Sequence, residues 1–132
     1  MYDRLVYFSV DEKKKKEIVV TIREFLKGKI KLAYLFGSFL KRERIRDVDI
    51  AVYPISFDEV LNLGSKLELK LHMPVDILPL NALSPALRLN VMLYGLPVIH
   101  NEVMHNYLVS QAFSEMQDFR IALKVTAEMV SK

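Results

Sequence analysis

The sequence predicts an α/β fold, a small sheet flanked by helices with a long helix at the C-terminal end. Three observations predict it. Two apolar runs rich in β-branched and aromatic residues, one ending at Gly37-Ser38 and one at Pro54, have the length and composition of buried strands. Segments with apolar residues at helical spacing precede, separate and follow such runs, so that helix and strand alternate. Residues 101–130 contain neither proline nor glycine and carry apolar residues at helical spacing.

In chain order, Ser9-x-x-Glu12 has the form of a capping box, and Ile18, Val19, Ile22, Phe25 and Leu26 follow at helical spacing. This predicts a helix over 11–27, stopped by Gly28. Lys13 to Lys16 on its first turns read as a solvated face or as a patch for an anionic partner. Residues 30–36 make the first strand and residues 48–53 the second, which Pro54 ends. Ser56-x-x-Glu59 repeats the capping-box form and opens a helix running to Leu71. Its inner stripe is read as Val60, Leu61, Leu67 and Leu71, with Gly64 on the same face for close packing.

Residues 75–80 make a third strand, reached by a right-handed crossover. Ser84 as N-cap and Pro85 as first helical residue start a helix over 86–94. It is apolar on most sides, which predicts burial, and Gly95 closes it. Residues 96–100 form a short strand, placed at an edge by Pro97. In the last helix Met104, Tyr107, Leu108, Ala112, Met116, Phe119, Leu123 and Val130 line one stripe, while Phe113, Ile121 and Val125 lie off it. Such a helix either covers its own sheet or packs on a partner as well.

At 132 residues the chain reads as one domain. Its hydrophobic content of 52 % is high for that size and suits contact with another subunit. No run approaches the roughly 20 apolar residues of a membrane span. The N-terminal stretch lacks the apolar core of a signal peptide. The absence of cysteine excludes disulfides and cysteine-ligated zinc, and agrees with a cytoplasmic setting. The net charge of +3 suits a nucleotide or an acidic partner and does not argue for direct nucleic-acid binding.

Alternation along the second strand puts Asp47, Asp49 and Ala51 on one face and Val48, Ile50 and Val52 on the other. Two carboxylates side by side in an apolar strand repel and lose hydration, so folding gains nothing from them without a cation between them. Oxygen-only ligands select a hard cation such as magnesium. At the end of the first strand, Gly37 permits a sharp turn close to a ligand, and Ser38 offers a hydroxyl at the start of a helical turn over 39–42. Lys41, Arg42, Arg44 and Arg46 then either neutralise a triphosphate or form an exposed basic loop. Carboxylate-held metal beside a phosphate-binding turn is equipment for phosphoryl or nucleotidyl transfer. The histidines at 72, 100 and 105 read as surface or capping residues, and nothing resembles a serine or cysteine triad.

Gly37-Ser38, a gap of eight residues, then Asp47-x-Asp49 resembles the signature of the DNA polymerase β-like nucleotidyltransferase superfamily. That superfamily usually adds a third carboxylate on a neighbouring strand, and Pro74-Val75-Asp76-Ile77-Leu78 supplies one at Asp76. The small size is similar to that of the minimal nucleotidyltransferases (MNT), many of which are antitoxin partners of HEPN-domain RNase toxins. The resemblance covers roughly residues 11–100, leaving 101–132 as a helical extension of a single domain 1–132.

It implies a nucleotidyltransferase fold with a small mixed sheet, and metal-dependent transfer of AMP from ATP to a hydroxyl of a partner protein, a HEPN-type toxin silenced by it. Asp47, Asp49 and Asp76 become the catalytic and metal-binding residues, holding two Mg2+ ions, with Asp76 favouring deprotonation of the acceptor. Gly37, Ser38, Lys41 and Arg42 become nucleotide-binding residues. The long helix would serve a homodimer or hetero-oligomer. Two alternatives remain: a small-molecule acceptor, as in aminoglycoside nucleotidyltransferases, and an antitoxin acting by binding alone.

Overall fold

The computed structural model describes residues 7–130; the parts of the N-terminal and single-domain readings that fall on residues 1–6 and 131–132 lie outside the described residues. The elements in chain order are β1 (Phe8–Ser9), α1 (Glu12–Leu26), β2 (Leu32–Phe36), α2 (Ser38–Lys41), β3 (Arg44–Ile45), β4 (Val48–Tyr53), α3 (Phe57–Leu71), β5 (Val75–Pro79), α4 (Pro85–Tyr94), β6 (Leu96–Ile99) and α5 (Glu102–Val130). A 3-10 turn, Leu80–Ala82, links β5 to α4.

Four strands form one sheet in the order β5-β4-β2-β6. The pair β4/β5 is parallel, and β2 runs antiparallel to both of its neighbours, so the sheet is mixed as the resemblance implied. One face carries Ala33, Leu35, Val48, Ile50 and Val52, which pack with Ile18, Ile22 and Leu26 of α1 and with Leu63 and Leu67 of α3. The other face carries Leu32, Tyr34 and Ala51, which pack with Val91 and Met92 of α4 and Leu108 of α5. Helices on both faces explain why β2 and the core of β4 read as continuous apolar runs rather than as alternating ones. Pro97 lies in β6, at the sheet edge, where a missing N–H is tolerated.

Several local readings are corrected. The N-cap of α1 is Asp11, whose carboxylate accepts from Lys14 N–H at 2.7 Å. Ser9 cannot cap it, because Ser9 pairs with Arg44 in the small β1/β3 ribbon. The capping box of Ser56 and Glu59 forms as expected, but Leu61 is 77 % exposed and Leu63 is buried in its place. Positions 60, 63, 67 and 71 continue one helical row, whereas Leu61 begins the next. A methyl group at Gly64 would meet nothing within 4 Å, so no close packing depends on that glycine.

Helix α4 is not buried on most sides: Leu87, Leu93 and Tyr94 are exposed, since a helix laid on one sheet face hides one side only. Its most buried polar residue is Arg88, only 5 % exposed. Arg88 donates to the carbonyls of Leu80, Asn81 and Leu83 and pairs with Glu115 of α5 at 3.2 Å. Gly95 is required by close approach, because a Cβ there would stand 2.4 Å from the Val91 carbonyl and 3.0 Å from that of Leu35. His105 is half-buried, not fully on the surface: its Nδ1 shares a 2.5 Å hydrogen bond with the Tyr34 hydroxyl, and its ring lies 5.4 Å from that of His100.

In α5 only Leu108 and Ala112 are buried, and every residue from 117 to 130 is exposed. Phe119 and Leu123, read as part of one inner stripe, are therefore exposed among the described residues, at 65 % and 55 %. Among the described residues no helix is long and apolar enough to cross a membrane.

Candidate metal and phosphate site

The sheet register builds the site. Parallel pairing sets Asp49 of β4 directly opposite Asp76 of β5, so their side chains leave the same face from neighbouring strands. Asp47, two residues before Asp49, shares that face just ahead of the strand. All three side chains are half-buried, and one carboxylate oxygen from each lies within 4.8 Å of those of the other two. The three aspartates singled out in the sequence are thus brought together.

On the other side of β4, antiparallel pairing sets Phe36 opposite Asp49, and the chain turns at the next residue. Gly37 makes that turn at φ 77°, a left-handed conformation that side chains disfavour. A Cβ at Gly37 would stand 2.6 Å from Asp49 Oδ2, so the backbone passes directly against the carboxylate. Glycine is needed here twice, for the torsion and for the space. Ser38 opens the single helical turn of α2, one residue from that contact. The sequence-predicted turn is present, shifted by one residue from 39–42 to Ser38–Lys41.

Two clefts flank α2. One of about 720 Å3 is lined by Gly37, Ser38, Lys41 and Arg42 on one side and by Leu87, Asn90 and Tyr94 of α4 on the other. A second of about 330 Å3 is lined by Ser38, Arg42, Arg44, Arg46 and Asp47 together with Tyr7. Ser38 and Arg42 line both, whereas Lys41 lines only the first. The guanidinium groups of Arg44 and Arg46 stand 5.5 and 5.1 Å from the Tyr7 ring, which ties them to the β1/β3 ribbon. Asn90 and Tyr94 were not singled out in the sequence; Gly95, directly after them, was read only as a helix stop.

The donor set suits a hard divalent cation: three carboxylates from two rigid strands and its immediate approach, all oxygen, clustered and partly shielded from water. Beside it stand a hydroxyl, arginine side chains and an open cleft large enough for a nucleotide.

A family model described as "Polymerase beta, Nucleotidyltransferase" matches residues 20–102. None of the curated proteins matches the chain. The fold is similar to a chain in the crystal structure of a toxin-antitoxin with AMP-PNP, at TM-score 0.68 and 24 % identity, covering 86 % of this chain and 98 % of that one. It is also similar to a chain in the structure of a tri-AMPylated Shewanella oneidensis HEPN toxin in complex with MNT antitoxin, at TM-score 0.66 and 22 % identity, covering 89 % and 99 %. A third similar structure is the toxin-antitoxin MntA-HepT, at TM-score 0.61 and 22 % identity, covering 92 % and 100 %.

Proposed function

This chain belongs to the polymerase β nucleotidyltransferase family, and from that premise we propose that it transfers AMP from ATP to a hydroxyl of a partner protein, a HEPN-type toxin. The observation that carries the reading is the convergence of Asp47, Asp49 and Asp76 beside the Gly37 turn. The protein acceptor is supported by similarity to structures of a toxin-antitoxin with AMP-PNP and of a tri-AMPylated HEPN toxin in complex with MNT antitoxin. Such an acceptor brings its own scaffold, which suits a domain this small. A cytoplasmic setting follows from the same reading.

Asp47, Asp49 and Asp76 would hold two magnesium ions, which supply charge neutralisation and Lewis acidity at the phosphates. The Ser38 hydroxyl and the backbone N–H groups at the start of α2 bind the outer phosphates, with Lys41 and Arg42 as counter-charges. Asp76, on the outer strand, would help hold the second ion and so favour deprotonation of the incoming hydroxyl. The acceptor oxygen bonds to the α-phosphorus, the bond from that phosphorus to the bridging oxygen breaks, and pyrophosphate departs. Core residues 11–100 carry the chemistry and α5 serves assembly, its bare distal half being the part offered to another chain.

The test is incubation with α-labelled ATP, magnesium and the candidate toxin. Label should pass to the toxin with the wild type and vanish with Asp47→Asn. Tight binding without label would replace this reading by an antitoxin acting through contact alone. Undiminished labelling by Asp47→Asn would remove the cluster from the mechanism.

A further inference from the structure

A groove of about 510 Å3 opens between α1, α2 and the edge strand β6. It is separate from the carboxylate cluster and meets the larger cleft at Leu40, which lines both. Its charged walls are Lys15, Lys16 and Arg23, against the single carboxylate of Glu12. Its apolar floor includes Val19, Val20 and Leu96, with Val20 51 % and Leu96 39 % exposed. The inner row of α1 is Ile18, Ile22 and Leu26; Val19 packs at the edge of the core, and Val20 lies off the core-facing side. Phe39 and Leu40, the residues directly after Ser38, complete the groove.

Two of the three cations are held in place. Arg23 Nε donates to the Val98 carbonyl at 3.3 Å, which fixes the guanidinium at the sheet edge. The Lys15 ammonium lies 5.6 Å from the centre of the Phe39 ring, over the floor. Positive groups held in place lose less freedom when a ligand arrives. A basic face needs no apolar floor if water is its only neighbour, and an apolar groove needs no cations if it takes a purely apolar partner. The combination selects a segment that is acidic and apolar in alternation.

We propose that this groove docks an acidic, partly apolar peptide segment of the protein acceptor. The chain beyond that segment crosses α2 at Leu40 and enters the cleft at Ser38. This inference rests on the protein-acceptor reading for its purpose, though its binding test does not require transfer to occur.

The probe is a fluorescein-labelled random copolymer of glutamate and tyrosine, with a lysine–tyrosine copolymer as the sign control, followed by fluorescence anisotropy without nucleotide. The wild type should bind the acidic copolymer and not the basic one. Lys16→Glu and the uncharged change Val20→Ser should each weaken binding by about fivefold or more. Lys66→Glu, on α3 and outside the groove, makes the same charge change as Lys16→Glu and should stay within about twofold. AMP-PNP binding should be unaltered in all three, because none lines the nucleotide cleft. Equal loss in Lys66→Glu and Lys16→Glu, no effect of Val20→Ser, or no binding by the wild type would each overturn the proposal. Loss of AMP transfer with groove binding intact would instead count against the proposed function.

Discussion

Two sets of charged side chains stand on the same side of the sheet, and they are built on opposite terms. Arg88 is almost fully buried, yet three carbonyls and Glu115 surround its guanidinium with acceptors. Asp47, Asp49 and Asp76 are less buried, yet their oxygens crowd within 4.8 Å as like charges. The first set lowers the energy of the folded chain: it ties α4 to the end of β5 and to α5. The second gathers three carboxylates at one point, where their mutual repulsion favours an added cation. What the difference teaches is that depth of burial does not separate a structural charge from a functional one. Convergence of like charges on one point does.

The largest expected effect comes from Asp49→Asn. Nucleotidyl transfer should fall by at least about a hundredfold, read as loss of label from α-labelled ATP. Undiminished transfer by the folded variant would erase the contrast. Arg88→Met should do the reverse. It leaves three carbonyls without their donor and Glu115 without its partner, at a cost of about 3 kcal/mol in urea denaturation. Transfer per folded molecule should be unchanged, and a specific loss of kcat would move Arg88 into the active site.

The smallest effect concerns the Tyr34–His105 pair, a partly buried polar contact. Burial, and secondarily the charge of His100, holds the His105 pKa below its ordinary 6.5. Its folded pKa lies below the unfolded one, so this stability is complete above pH 6.5 and declines as pH falls through the folded pKa. Burial pushes the Tyr34 hydroxyl from 10.0 up to about 12, so stability also declines as pH rises across that interval. His105→Phe should flatten the acid-side decline when unfolding is compared at about pH 5 and about pH 7.5. A slope that survives the change would show that His105 does not set the acid-side decline.

Much of this layout was legible from residue types alone. Asp47, Asp49 and Asp76 are visible because strand alternation fixes which face a carboxylate leaves from, and Gly37-Ser38 because the apolar run stops there. Ser56, Glu59 and Ser84 cap the helices their side chains predict, since capping is a local interaction. What was not legible depended on distant partners. The β1/β3 ribbon pairs two-residue strands, too short to show any period. Burial of Arg88 depends on carbonyls freed where β5 ends, and on a glutamate 27 positions away. Asn90 and Tyr94 enter the larger cleft only because α4 settles across from α2.

The bare distal half of α5 bears on dynamics. A helical stretch shorter than about 12–15 residues is marginal in water, and tertiary packing normally supplies the missing stability. Among the described residues none from 117 to 130 is buried, whereas Leu108 and Ala112 anchor the proximal turns. In the isolated chain the distal turns therefore fray and re-form in a helix–coil equilibrium, and their amide hydrogens exchange orders of magnitude faster than those near Leu108. A partner that buries Phe119 and Leu123 would complete the folding of this helix as it binds, so part of its affinity would be spent on ordering those last turns.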